Sequence, residues 1–235
     1  MRNYLTFNNV STKDYGVYIS GLNTYNAPEK DVEIISIPGR NGDLTIDNGR
    51  YKNVDVSYPA FIYDNFDQNV EGLRNYLLSQ NGYKRLEDTY HPEEFRLARY
   101  KGDFNAKMVD WLEAGEFDLV FDCYPQRFLK SGEQIITLTA AGAIFNEYMT
   151  SKPLIRAYGT GTFTISGVNV QITTASGYTD IDCDLQEAYK DTLATNCNGN
   201  IVLSNGKFPE LVPGENTITI SGFSKLEITP RWWIL

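Results

Sequence analysis

Short runs of alternating polar and apolar residues, bounded by turn-forming residues, dominate the chain. Residues 32–37 form one such run before Pro38-Gly39-Arg40-Asn41-Gly42, and residues 44–46 lead into Asn48-Gly49. Because a strand places alternate side chains on opposite faces, this alternation predicts β-strands. Asn-Gly tolerates positive φ at both central positions of a tight turn and is typical of hairpins. The pattern predicts two successive hairpin turns, followed by a strand over residues 51–58.

One stretch follows a helical period instead. Its apolar residues recur three and four positions apart and therefore share one face of an α-helix; they are Phe66, Val70, Leu73, Tyr76 and Leu77. Asn65 is suited to the N-cap, with Gln68 as its capping-box partner, and Asn81-Gly82 is suited to end the helix. We predict one amphipathic helix in the first half of the chain.

The second half of the chain has a different texture. A strand over residues 116–124 is expected to close at Pro125, and after about residue 129 short strands recur without another amphipathic helix. The predicted strands are 134–139, 154–158, 161–165, 168–172, 201–203, 216–220 and 225–228. Their spacing is typical of a sandwich or jelly roll. We predict a mainly β protein with an α+β N-terminal domain, 1–128, and an all-β C-terminal domain, 129–235.

Composition supports an ordinary globular protein and narrows its partners. The 235 residues are 42% hydrophobic and 22% charged, and the net charge of -9 argues against binding to nucleic-acid phosphates. The three cysteines have no CxxC spacing, which favours synthesis in a reducing compartment. The first residues lack the apolar stretch of a signal peptide, and no run of 18 apolar residues predicts a membrane-spanning helix.

Catalytic and cofactor chemistry find little support in the residues. His91 is the only histidine, and the chain has no Gly-x-Ser-x-Gly motif to supply a nucleophile for it. The glycine-rich segment 38–42 lacks the Lys-Ser/Thr of a phosphate-binding loop and is followed by a strand pattern, so a hairpin turn is the favoured interpretation. We predict no enzymatic activity and no cofactor.

A metal site was weighed at three acidic residues. Asp180, Asp182 and Asp184 alternate along a predicted strand and would share one face, where a calcium ion could relieve their repulsion. Leu185 stands where an EF-hand loop requires glycine, which excludes that motif. A solvated strand face is the favoured interpretation, and we predict no metal.

The tryptophans offer candidate contact surfaces. Trp232 and Trp233 are adjacent, so on a strand they face opposite sides and only one can belong to the core. The other is exposed, covered by a loop or buried between subunits, where Trp and Arg are enriched. Arg231, Trp232 and Trp233 are therefore candidate interface residues. Together with Trp111 they could instead stack on sugar rings, as in a carbohydrate-binding β-sandwich.

Eight segments in order resemble the distal tail (Dit) proteins of long-tailed bacteriophages that infect Gram-positive bacteria. They are the first strand with residues 14–19, and then residues 37–44, 58–61, 121–125, 151–155, 159–161, 181–184 and 208–233. Among them are Ile37-Pro38-Gly39-Arg40-Asn41-Gly42 and Pro230-Arg231-Trp232-Trp233. Each is weak alone, and together they extend over nearly the whole chain.

The resemblance implies a fold and an assembly. It implies an N-terminal β-sandwich-like domain with one helix and a protruding hairpin, and a C-terminal galectin-like jelly roll. It further implies a homo-hexameric ring, perhaps stacked on a second, at the tail tip of a virion assembled in the host cytoplasm. The expected partners are the tail tube protein, the tail-associated tip protein and receptor-binding proteins, with DNA only as cargo in the channel and no membrane. The chain lacks the long C-terminal insertion of larger family members.

Two further functions stay open as alternatives. A carbohydrate-binding module protein is favoured by the β-sandwich half and the tryptophans, and it predicts a monomer. A glycan hydrolase requires a pair of carboxylates whose separation is a three-dimensional quantity, so one sequence cannot identify it.

Overall fold

The computed structural model describes residues 2–21, 26–63, 65–102, 107–108 and 114–235. The chain divides into two compact units, Met1–Arg127 together with Leu235, and Phe128–Ile234. Trp111, one of the residues considered for sugar stacking, lies outside the described residues. No helix in the described ranges is long and apolar enough to cross a membrane.

The first unit is built mainly from one antiparallel sheet. The elements, in chain order, are β1 (Leu5–Phe7), β2 (Val10–Ser11), a 3-10 helix (Thr12–Tyr15), β3 (Val17–Ile19), β4 (Lys30–Ile35), β5 (Leu44–Tyr51), β6 (Val54–Ile62), α1 (Phe66–Ser79), β7 (Lys84–Asp88), β8 (Glu94–Tyr100), β9 (Lys107–Met108) and β10 (Gly115–Leu129). The sheet order is β2-β1-β7-β8-β10-β6-β3, with β9 also paired to β10. Strands β4 and β5 form a separate two-stranded sheet.

The first sheet curls around its own core. An isolated bridge joins Asn3, beside β1, to Ile19 of β3 at the other end of the sheet. Along β6 every second side chain is buried, as the alternation of Val54, Val56 and Tyr58 requires. The helix α1 adds three buried side chains to the same core, which are Phe66, Leu73 and Leu77.

The helix lies where the apolar stripe predicted it, but its caps differ. Asn65 is left-handed, with φ 48° and ψ 43°, and makes no side-chain capping bond. A capping box needs an N-cap residue in the extended region, so the predicted pairing with Gln68 is wrong. The helix ends at the extended residue Gln80 and not on the glycine at position 82.

The hairpin of β4 and β5 has one of the two predicted turns. Gly39 and Gly42 both have φ of 82°, and the Arg40 N–H donates to the Ile37 carbonyl. Asn48-Gly49 does not turn the chain, because β5 continues through it to Tyr51. The register shifts there, with Lys30 opposite Tyr51 and the next paired residue opposite Asp47. The positive φ of glycine is used for a bulge, so the second predicted hairpin turn is wrong.

Strand β10 continues beyond Pro125, which was predicted to close it. The pairing with β6 ends at Cys123, opposite Val54. Beyond that point β6 does not need the N–H that proline lacks, so Pro125 is tolerated inside the strand.

The second unit contains a second sheet. Its elements are a 3-10 helix (Lys130–Glu133), β11 (Ile136–Leu138), β12 (Gly142–Asn146), β13 (Leu154–Ile165), β14 (Val168–Ile172), β15 (Tyr178–Asp182), β16 (Glu187–Lys190), β17 (Thr192–Asn196), a 3-10 helix (Asn198–Asn200), β18 (Ile201–Leu203), β19 (Gly214–Thr229) and β20 (Trp233–Ile234). The order is β11-β19-β13-β15-β16-β17, with β12 paired to β19, β14 to β13, and β18 to β14.

Two long strands belong to both layers of this unit. The first part of β13 pairs with β15 and the end of β19, whereas the last part pairs with β14 and the middle of β19. Side chains from both parts, such as Ile155 and Phe163, share one core. Each long strand was predicted as two short ones, because the glycines at the bend resemble a strand boundary in sequence.

Glycine is required where the two strands bend together. A Cβ on Gly161 would lie 2.1 Å from the Ser221 carbonyl oxygen, and one on Gly222 would lie 2.7 Å from the Thr160 carbonyl oxygen. The register shifts at Gly159 and Thr162 mark the bend as a bulge. The two units together confirm the predicted mainly β class.

Candidate assembly and binding surfaces

The β4–β5 hairpin carries exposed apolar side chains toward its turn. Ile34 is 64% exposed, and Ile46 and Leu44 are each 42% exposed. Ile35, also exposed, lies directly opposite Leu44. A two-stranded hairpin is at best marginally stable alone in water, and an exposed apolar patch marks an interaction surface. The turn half of the hairpin is therefore a candidate assembly surface.

The other half of the hairpin is polar. Lys30 and Asp47 lie 3.2 Å apart, and Arg50 lies 2.6 Å from Asp31. The hydrogen bond from Arg50 lowers the pKa of Asp31, although both groups remain in contact with solvent. Surface pairs of this kind contribute little to stability. The hairpin thus separates a charged base from an apolar turn.

Arg231 is held inside the second unit by an ion pair. Its guanidinium donates two hydrogen bonds of 2.7 Å to the two carboxylate oxygens of Asp182, which is buried. Burial alone would raise the pKa of Asp182, but the bonds from Arg231 and from the backbone N–H of Leu185 outweigh it, so the pKa is lowered. Arg231 also has φ of 58° and donates its backbone N–H to the Gly132 carbonyl.

The two tryptophans lie in different environments. Trp232 is buried in the core of the second unit, with its ring 6.1 Å from that of Tyr148. Trp233 is half-buried, and its indole N–H donates to the Thr150 carbonyl at 3.0 Å. Of the three residues predicted for an interface, Trp232 belongs to the core, Arg231 is paired, and Trp233 lies at the surface.

The three aspartates do not form a solvated face, so that interpretation is wrong. Asp180 and Asp182 are 2% and 3% exposed, and each accepts two hydrogen bonds from an arginine. The arginine on Asp180 is Arg156, which faces it across β13 and β15. Asp184 is exposed beyond the strand, 3.5 Å from Lys152. Arginine supplies the positive charge here, and the described residues contain no cluster of ligands suited to a metal.

His91 is part of a turn held by Asp88. The Asp88 carboxylate accepts the His91 backbone N–H at 2.8 Å and lies 3.2 Å from the imidazole Nδ1. Its other oxygen accepts the Tyr58 hydroxyl at 3.0 Å, and burial raises the pKa of Tyr58. The adjoining cavity has a volume of only about 30 Å³, roughly enough for one water molecule. This arrangement fixes the β7–β8 turn and leaves no room for a substrate.

A larger cavity lies within the second unit. Its volume is about 410 Å³, within the range of ligand-binding sites. Three turns line it, following β13, β15 and β18. Val168, Cys183 and Phe208 supply apolar lining, and burial raises the pKa of the Cys183 thiol. The sequence gave no signal for this cavity, because its residues come from three distant segments.

Comparisons with known proteins bear on both units. No protein-family profile matches the chain, and no curated protein matches it. Among solved structures, the Dit protein (gp 19.1) of phage SPP1 matches with a TM-score of 0.74 and 15% identity, over 100% of both chains. The chain has the Dit fold. That SPP1 protein is described as a paradigm of the hub adsorption apparatus in Gram-positive infecting phages.

Two further structures extend the likeness of the Dit fold. Both are of the phage P2 baseplate in its activated conformation, one with Ca and one with Sr, and each matches with a TM-score of 0.51. Identity is 11% and 10%, over 97% of this chain and 97% and 96% of those chains. Because the similarity to the SPP1 protein extends over both units, the Dit fold includes the hairpin and the cavity-bearing unit alike.

Proposed function

We propose that the chain is a structural hub subunit at the distal end of a long non-contractile phage tail. The observation that carries this proposal is the Dit fold matched over the full length of both chains. In this role the protein links the tail tube to the tail-associated tip protein and to receptor-binding proteins, and DNA passes through it only as cargo. The acidic net charge favours such a passage, because it disfavours binding to the phosphates.

We further propose that six copies close into a ring. The exposed hairpin supports self-association, because its apolar turn half would be covered by a neighbouring copy. A head-to-tail contact that closes on itself satisfies every copy equally and leaves no uncovered surface. The protein has a scaffolding and not a catalytic role in this assembly, in line with the use of His91 to fix a turn.

The test is the mass of the purified protein, measured by light scattering, with ring images from electron microscopy. Wild type is expected at about six chain masses. The double variant Ile34→Thr, Ile46→Thr keeps two β-branched residues in the strands but removes exposed apolar surface, so it is expected to be monomeric. The matched control is Val202→Thr in β18, which is 52% exposed and lies outside the hairpin.

The control variant must keep the wild-type mass for the hairpin to be the cause. A wild-type protein that remains monomeric at high concentration and in the presence of a tail tube protein would contradict the ring. The saccharide-binding alternative predicts such a monomer, so the same measurement separates the two functions.

A further inference from the structure

The cavity of the second unit has a rim of polar groups that the chain itself does not use. Gln186, Lys207 and Glu210 line it, and all three are exposed. Among the residues that the structure describes, none forms a hydrogen bond or an ion pair with these three side chains. An amide, an ammonium and a carboxylate therefore stand free around one concave space, above the apolar side chains of Val168 and Phe208.

The turn before β16 and the segment before β19 that carry these groups are held in place. The Asp182 carboxylate accepts the N–H groups of Asp184 and Leu185 at 3.0 and 3.1 Å, which fixes the turn before Gln186. Leu211, buried next to Glu210, exchanges two backbone hydrogen bonds with Ser151 at 2.9 and 3.0 Å. A site whose supports are already ordered loses less entropy on binding.

The third turn is tied to the same framework. Ser166 donates its hydroxyl to the side chain of the buried Asn216 at 2.7 Å. The same Asn216 oxygen accepts the Val212 N–H at 2.8 Å. Ser166 and Val212 both line the cavity, so one buried amide fixes two of its sides.

The charges of the rim select the class of ligand. An anion would be attracted by Lys207 and repelled by Glu210, and a cation would meet the reverse, so the rim favours a ligand without net charge. Glu210 only accepts hydrogen bonds, Lys207 only donates them, and Gln186 does both. Hydroxyl groups satisfy all three, because each can donate and accept. The apolar lining suits the C–H face of a sugar ring.

We propose that this cavity binds a neutral saccharide, through hydrogen bonds to Gln186, Lys207 and Glu210. The site adds an adhesive activity to the proposed hub, and it rests on that function only for its biological setting. The binding itself is a property of the second unit. It does not require the ring.

The test is saturation-transfer NMR on the full-length protein, because this method detects weakly bound sugars on large assemblies. The probes are glucose, galactose, N-acetylglucosamine and maltose, compared with glucuronic acid as an anion and glucosamine as a cation. The variants are Glu210→Gln and Lys207→Met, and the matched control is Glu215→Gln, an exposed carboxylate of the same unit outside the cavity.

We expect at least one neutral sugar to receive saturation from wild type and from the control. Each cavity variant should weaken that binding about ten-fold or more, because each loses a hydrogen bond to a charged group. No transfer to any neutral sugar overturns the proposal, as does equal binding by wild type and both variants. Tighter binding of a charged probe overturns the ligand class. A monomeric wild type that still binds sugar refutes the ring alone, and a ring without sugar binding refutes the cavity alone.

Discussion

Replacement of Arg231 by glutamine should destabilise the second unit strongly. The change removes the guanidinium and its two hydrogen bonds of 2.7 Å to Asp182. The carboxylate stays buried, with a side chain only 4% exposed, and keeps its backbone partners Asp184 and Leu185. It then carries a negative charge without a positive partner.

The magnitude follows from the geometry of the pair. Removal of one partner of a buried ion pair costs about 3–5 kcal/mol. The Arg231 side chain is 32% exposed, and Asp182 keeps two N–H donors, both of which reduce the loss. We therefore expect the free energy of unfolding to fall by about 3 kcal/mol at neutral pH, the lower end of that range.

The assay is urea unfolding followed by tryptophan fluorescence in a Trp111→Phe background. Two of the three tryptophans then remain, Trp232 and Trp233, so the signal reports the second unit. The matched control is Lys152→Gln, which removes an exposed partner 3.5 Å from Asp184 and should cost less than about 1 kcal/mol.

The effect should also depend on pH in one direction. The pKa of Asp182 is lowered in the folded protein, so its pairing contributes stability above the unfolded pKa of about 4 and loses it as pH falls through the folded pKa. The difference between wild type and Arg231→Gln should therefore shrink below about pH 4. A loss below about 0.5 kcal/mol at neutral pH, or a difference that does not change with pH, would refute an electrostatic role.

Two other substitutions test the packing of the second unit by the same assay. Trp232→Ala should cost about 3–5 kcal/mol because it empties a core position, whereas Trp233→Phe should cost about 1 kcal/mol for one lost hydrogen bond; the reverse order would contradict the assignment. Gly161→Ala should cost more than about 3 kcal/mol or prevent folding, since its Cβ would overlap the Ser221 carbonyl. Gly167→Ala, in open space with φ of 84°, should cost only about 1 kcal/mol, and equal losses would disprove the close approach.

Periodicity predicted the elements whose burial depends on one face. The stripe of α1 buries Phe66, Leu73 and Leu77, and the strands β14 and β18 have the predicted bounds. In these elements the local pattern and the core agree, because one side is apolar and the other polar.

Features decided by distant partners escaped the sequence. Asn48-Gly49 has the composition of a hairpin turn but forms a bulge, because β4 supplies a partner strand on both sides of it. Asp180 and Asp182 alternate like solvated residues, and only the fold brings Arg156 and Arg231 to them. The candidate cavity depends on turns far apart in sequence, so no local motif could reveal it.

The bend at Gly161 and Gly222 has a mechanical consequence. Because β13 and β19 each run through both layers, a pull along either strand is carried from one layer into the other. Hydrogen bonds between antiparallel strands lie perpendicular to the strands, so such a pull loads many of them in shear at once. Rupture must then break both layers together, and neither can peel away one bond at a time. The glycines turn two thin sheets into one element that bears load.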